Sequence, residues 1–219
     1  MKIHTFLNEE EFLSNCIARI ESISKAKLEE KQSFHIVLTG GDTAKLIYSR
    51  LRSLHTDWSK WYFYFGDERC VPENHPDLNS LMAKETLLDH IPIKKQQVFI
   101  MPSYLGPKKG ALEYSKIIDF SVPLDLILLG LGEDGHVASL FPGKDHPADQ
   151  SVVPVFDSPK LPKERISLSK ERINSSDFIL LIAKGKKKEE VVQNIKEGKP
   201  LPVTSLSPKK ALELYYLAI

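Results

Sequence analysis

Leu124-Asp125-Leu126-Ile127-Leu128-Leu129-Gly130-Leu131-Gly132-Glu133-Asp134-Gly135-His136-Val137-Ala138-Ser139-Leu140-Phe141-Pro142-Gly143 is the stretch whose reading decides the fold. From Leu124 to Leu129 it is apolar apart from one carboxylate, the pattern of a central parallel strand buried on both faces by helices. Glycines, an acid pair (Glu133 and Asp134) and His136 follow at once. In an open α/β sheet, ligands bind in the crevice beyond the carboxyl ends of the strands. The turn after Leu129 is therefore the candidate site.

Upstream, Asn8 is placed to cap a helix over residues 8–30, with Phe12, Cys16, Ile17, Ile20 and Ile23 at helical spacing. Phe34-His35-Ile36-Val37-Leu38-Thr39 has strand composition and breaks at Gly40-Gly41 before a helix carrying Ile47, Leu51 and Leu54, capped by Asp42 or Thr43. Strand, glycine turn and helix make an anion site, because glycine lets the backbone approach and the free N–H groups of the helix start point at the ligand. A βα turn also needs glycines for geometry alone. Trp61-Tyr62-Phe63-Tyr64-Phe65 predicts a second strand, ending in Gly66-Asp67-Glu68-Arg69. Pro72 to Asp77 marks a loop before a helix holding Leu78, Leu81, Met82, Leu87 and Leu88; Gln97 to Ile100 predicts a short strand, and residues 111–119 a helix.

Downstream, Pro147, Pro154, Pro159 and Pro162 predict an irregular loop over the site across residues 144–163. Arg165 to Ser169 reads as a strand or its edge, Phe178 to Ala183 as a buried strand, Gly185 as the turn into a helix with Val191, Val192 and Ile195 inside, and Leu212 to Ile219 as a last strand. Strands alternating with helices give an α/β fold class: a doubly wound, mostly parallel sheet with helices on both faces. No linker or repeat divides the chain, so residues 1–219 are expected to form one domain.

Thirty basic and 29 acidic side chains leave a net charge of +1, which argues for neither nucleic acid nor a membrane surface as partner. No apolar stretch reaches the roughly 20 residues of a membrane span, and the start of the chain, with Glu9 to Glu11, does not read as a signal peptide, so a cytoplasmic location is expected. Cys16 and Cys70 stand outside any metal-ligand spacing. Cys70 beside Arg69 is better read as a small buried hydrophobe than as a reactive thiol. The lysine cluster Lys184, Lys186, Lys187 and Lys188 reads as a solvated helix start, although cations there oppose the helix dipole unless an anion binds.

Gly130-Leu131-Gly132-Glu133-Asp134-Gly135 matches the dinucleotide pattern G-x-G-x-x-G after a strand. That reading fails on two counts: Glu133 and Asp134 would face a pyrophosphate, and Pro142-Gly143 ends any helix after about one turn where the fingerprint needs a long one. The turn is better suited to presenting side chains. His136 sits in a glycine-framed turn beside two acids, where a carboxylate can orient the ring and raise its basicity.

Leu38-Thr39-Gly40-Gly41, Phe65-Gly66-Asp67-Glu68-Arg69-Cys70-Val71-Pro72 with His75-Pro76-Asp77 and Asn79, Gly132 to Gly143, Arg165 to Ser169, and Gly185 with Lys188 occur in an order that resembles the 6-phosphogluconolactonase family, within the superfamily that includes glucosamine-6-phosphate deaminase. The resemblance implies a modified doubly wound α/β domain that hydrolyses a sugar-phosphate lactone, 6-phosphoglucono-1,5-lactone, in the pentose phosphate pathway. It implies that His136 is the general base for water, that Asp134 supports the imidazole or the site geometry, and that Asp67 faces the sugar ring or the catalytic water, a structural role capping the following loop being the alternative for Asp67. The substrate phosphate would lie on Gly40-Gly41 and Thr43, closed by Arg69, Arg165 and Lys188. No metal or organic cofactor is implied, since a strained ester needs only activated water and charge stabilisation.

Two departures from the family pattern stand out. After the paired glycines the family usually has Ser or Thr and then Thr-Pro, where this chain has Asp42-Thr43-Ala44, and a carboxylate there repels a phosphate unless it turns away. The deaminase relative places a glutamate five residues after the histidine, where this chain has Phe141, which removes the acid for opening an amino sugar. A sugar-phosphate-binding regulator without turnover predicts loss of the histidine or the acids, yet Asp67, Asp134 and His136 are all present.

Overall fold

The computed structural model describes residues 1–144 and 147–219. Nine strands are named here β1 (Lys2–Phe6), β2 (Phe34–Leu38), β3 (Trp61–Phe65), β4 (Asp67–Arg69), β5 (Leu126–Gly130), β6 (Val152–Val155), β7 (Arg165–Leu168), β8 (Phe178–Lys184) and β9 (Ala211–Leu217). The helices are α1 (Glu9–Lys31), α2 (Asp42–Leu51), α3 (Asn79–Thr86), α4 (Pro107–Ser115), α5 (Lys170–Asn174) and α6 (Glu189–Lys196). The main sheet has the order β1-β9-β8-β5-β2-β3, and its neighbouring strands all run parallel. Leu126 to Leu129 on β5 are 0% exposed, so this strand is covered on both faces, as its unbroken apolar run requires.

From β2 the chain moves to β3 on one side and returns to β5 on the other, so the winding direction reverses between β2 and β5. That reversal opens a crevice at the carboxyl ends of both strands. A second sheet of order β4-β7-β6, antiparallel throughout, stands beside this opening. The backbone runs straight from β3 through Gly66 into β4, and Leu168 N–H on β7 donates to Gly66 O at 2.8 Å, which ties the two sheets together.

Several expectations need correction. The segment expected as an irregular loop over 144–163 contains β6; residues 145 and 146 of it lie outside the described residues. Pro154 argues against a strand interior, but β6 is the edge of its sheet, where a residue without an N–H is tolerated. Gln97 to Ile100 is not a strand: residues Lys95–Gln97 form a 3-10 turn and only a Phe63–Val98 bridge remains. The Gln97 amide is committed to Trp58 O and Trp61 O at 2.8 and 2.7 Å, which holds that turn in place. Helix α4 begins at Pro107 rather than near 111, with proline at its first position, where a missing N–H costs nothing. Gly110 inside it is required by close packing, since a Cβ there would lie 2.4 Å from Ile166 Cδ1. Strand β1 was not anticipated. Among the described residues no helix is long and apolar enough to cross a membrane.

Candidate active site

The crevice at the β2/β5 reversal is a cavity of about 810 Å³. Gly40, Gly41 and Thr43 line it from the β2–α2 turn, Asp67 and Arg69 from β4, Gly132 and His136 from the turn after β5, Arg165 from β7 and Lys188 from the start of α6. Thus the expected site residues meet in one place, with Asp134 reaching it through His136. Thr39 bridges the floor, its Oγ1 accepting from Gly130 N–H at 3.3 Å.

His136 Nδ1 lies 2.5 Å from Asp134 Oδ1. Burial pushes the imidazole pKa down, and the hydrogen bond and charge of Asp134 only partly offset this, leaving it below the ordinary histidine value. Burial alone would raise the Asp134 carboxyl, but its hydrogen bond to His136 and the charge interaction hold it below the usual carboxylate range. A neutral imidazole facing an ionised carboxylate must carry its proton on Nδ1, because the carboxylate only accepts. Nε2 is left with its lone pair free, the form a general base needs. Gly132 makes the pairing possible: a Cβ there would lie 2.0 Å from His136 Nδ1 and 2.6 Å from Asp134 Oδ1. Ala138, on the cavity wall, holds φ at 49°, a left-handed conformation rare for alanine and of a kind concentrated at functional sites.

Asp67 is 5% exposed and accepts one side-chain donor on each carboxylate oxygen. Ser139 Oγ donates to its Oδ2 at 2.6 Å and Asn79 Nδ2 to its Oδ1 at 3.1 Å. Ser139 and Asn79 were not anticipated in these roles; they stand 72 and 12 residues from Asp67 in the chain and meet it through the fold.

On the β2 side of the cavity, α2 begins directly after Gly41, whose φ of 95° is in the left-handed region that favours glycine. No side chain caps that helix, so its first N–H groups stay open to a ligand. Arg165 is 5% exposed and anchored: Nε donates to Pro162 O at 3.0 Å and Nη2 to Lys160 O at 3.1 Å. Arg69 donates from Nη1 to Asp77 O at 2.5 Å, while its buried Nε has no partner among the described residues. Lys188 Nζ stands 3.9 Å from Glu133 Oε1, and burial lowers its pKa. Of its neighbours in the lysine cluster, Lys184 is ion-paired to Glu9 and Lys186 and Lys187 are exposed. Lys45 and Lys160 also line the cavity and had no sequence signal beyond their charge. Asp42 is exposed and is among the residues lining the cavity. Cys70 is half-buried, and burial, with Glu164 and Glu68 nearby, pushes its thiol up to about 12, as suits an inert residue.

The family model for glucosamine-6-phosphate isomerases/6-phosphogluconolactonase matches residues 7–215. A curated relative from Arabidopsis thaliana, named probable 6-phosphogluconolactonase 1, is 34% identical across 94% of this chain and 84% of its own. The solved structure of 6-phosphogluconolactonase from Thermotoga maritima superposes with a TM-score of 0.90 at 26% identity, covering 100% of this chain and 99% of that one. That of 6-phosphogluconolactonase from Trypanosoma cruzi gives 0.87 at 28% identity, over 99% and 94%. The doubly wound sheet is therefore a shared architecture, and the chain belongs to the glucosamine-6-phosphate isomerase/6-phosphogluconolactonase family as a hydrolase of the lactonase kind.

Proposed function

We propose that the chain hydrolyses 6-phospho-D-glucono-1,5-lactone to 6-phosphogluconate, with His136 activating the attacking water. The observation that carries the reading is the 2.5 Å contact of His136 Nδ1 with Asp134 Oδ1, which leaves a neutral Nε2 in a cavity edged by an open helix start and cations. Nε2 takes a proton from water as its oxygen attacks the lactone carbonyl. The tetrahedral intermediate then expels the ring oxygen, and the proton held on the imidazolium closes the balance on that leaving alkoxide. Asp134 stabilises the imidazolium while it exists. Asp67, oriented by the Ser139 and Asn79 donors, faces the water or a sugar hydroxyl.

The phosphate takes the Gly40-Gly41 turn and the N–H groups at the start of α2, with Thr43 beside it. Arg69, Arg165 and Lys188 close around it as charge-assisted donors. The names of the relatives support the substrate, and a small sugar-phosphate fits the cavity of about 810 Å³.

The test is hydrolysis of freshly generated lactone, above its spontaneous rate, by the wild-type chain and by His136→Ala, with circular dichroism to show that both fold. Fast wild-type turnover and a loss of at least about a hundredfold in the folded variant are expected. No excess over the spontaneous rate in wild type overturns the lactone reading; a fast His136→Ala variant moves the base elsewhere, beginning with Asp67.

A further inference from the structure

Phe141 is 4% exposed, yet it lies outside the contiguous hydrophobic core. Its ring packs against the site instead. The ring centroid is 4.7 Å from that of the His136 imidazole with the planes inclined by 44°, and the Arg165 guanidinium carbon is 5.8 Å from the same centroid. Imidazole, phenyl and guanidinium thus form one packed row.

This row answers a mechanical need. The bond to Asp134 fixes only one atom of the imidazole, and a ring held at one atom can still swing about that bond. Contact with a buried aromatic ring removes the swing at little entropic cost, since the phenyl has few torsions and is itself locked by packing. Arg165 is in the same position. Its Nε and Nη2 are tied to carbonyls of the loop before β7, and the phenyl settles where the rest of the guanidinium lies. The charged groups near His136 are Asp134 on its own turn, Asp67 on β4 and Lys160 on the loop before β7, with Arg165 beyond the phenyl. Replacing Phe141 alters none of these charges. It changes only the packing and the access of water.

We propose that Phe141 is a positioning residue of the hydrolytic site: it sets the plane of the His136 imidazole, keeps water from its packed side, and seats the Arg165 guanidinium. The proposal rests on the reading of His136 as the base and gives that base a support the sequence pattern did not assign.

The experiment compares wild type with Phe141→Tyr, Phe141→Leu and Phe141→Ala, measuring kcat and KM across pH and titrating His136 directly by NMR of its ring. Phe141→Tyr keeps the ring and is expected to stay within about threefold of wild type, whereas Phe141→Leu loses about tenfold in kcat as the imidazole gains freedom, with a smaller rise in KM from the loosened Arg165. Phe141→Ala admits water, so the His136 titration and the acid limb of kcat/KM both move up, on the order of half a pH unit. If Phe141→Leu keeps wild-type kcat, KM and His136 titration and loses only thermal stability, the residue is a structural filler and the proposal is overturned. Should Phe141→Ala not fold, the contrast between Tyr and Leu still decides. Failure of the underlying reading looks different: in wild type the acid limb then does not coincide with the His136 titration, while the NMR shift among variants still reports on the packing.

Discussion

Replacing Gly132 by alanine isolates the His136–Asp134 pair from everything else in the fold. The backbone at Gly132 is not in the left-handed region, so alanine meets no conformational penalty there. The added Cβ, however, would lie 2.0 Å from His136 Nδ1, 2.4 Å from Cε1 and 2.6 Å from Asp134 Oδ1. Carbon and nitrogen need about 3.5 Å between them, so the imidazole must withdraw by roughly 1.5 Å. A displacement of that size breaks the 2.5 Å contact and moves Nε2 off the water it serves. A misplacement of about 1 Å can cost about 10² in rate, and losing a general base costs about 10² to 10⁴. The expected loss in kcat is therefore about 10² to 10³, or about 3–4 kcal/mol of transition-state stabilisation. Stability should change little, because the groups that move stand at the cavity, with His136 and Asp134 side chains 14% and 39% exposed. The assay is lactone hydrolysis beside a urea unfolding curve. Gly135→Ala is the contrasting control: Gly135 has φ of 82° and its Cβ would lie 2.9 Å from Leu201 Cβ, so that variant loses stability first. A folded Gly132→Ala enzyme with wild-type kcat would refute the role given to the pair.

Three further outcomes are expected. Because burial holds His136 below the ordinary value of 6.5 and the proposed reaction uses the neutral ring, kcat/KM should fall on the acid side with a midpoint below 6.5, which a pH–rate profile reads directly; a midpoint at or above it contradicts the assignment. Asp125→Ala removes a carboxylate that is 2% exposed and accepts from His35 N–H at 2.8 Å and Lys31 Nζ at 2.9 Å. It should cost about 3 kcal/mol of stability by urea unfolding, with kcat unchanged because Asp125 sits at the far end of β5 from the cavity. Asp42→Ser removes a carboxylate from the cavity wall beside the open helix start, so KM should fall about threefold to tenfold at constant kcat; an unchanged KM would place the phosphate away from α2.

What could be read from the chain depended on how far apart the interacting residues lie. Leu126 to Leu129 were legible as a central strand because burial on both faces leaves no polar position to confuse the period. Lys2–Phe6 was not, since β1 is an edge strand with mostly exposed or half-exposed residues and no apolar run to announce it. Val152–Val155 was hidden by Pro154, which argues for a loop until the strand is known to lie at an edge. The site shows the same division. His136 and Asp134 are two residues apart, so their pairing follows from one turn. Ser139 bonding Asp67, and Lys160 reaching the cavity, are products of the second sheet and its connections, which no local pattern encodes.

Asp67 and Glu68 show how one local rule separates chemistry from scaffolding. Successive side chains of a strand point to opposite sides, so on β4 Asp67 faces the cavity and Glu68 cannot. Glu68 is 0% exposed and accepts from Asn79 N–H and Ser80 N–H, both at 2.8 Å. Burial raises its pKa, and these donors at the start of α3 work against that rise. The carboxylate is thus a cap supplied from another element, satisfying N–H groups that α3 leaves open because Leu78 offers no side-chain cap. Docking α3 in this way brings the Asn79 side chain to Asp67, where Nδ2 donates to both the backbone oxygen and Oδ1. One acid therefore faces the cavity, and its neighbour fixes the helix that orients it. The same logic explains why Gly40 must lack a side chain: a Cβ there would lie 1.8 Å from Asn79 Oδ1, so the glycine of the anion turn and the residue holding Asp67 occupy adjoining space. The Gly40-Gly41 turn, proposed to hold the phosphate, and Asp67, proposed to face the reacting water, are in this way set relative to each other by one asparagine.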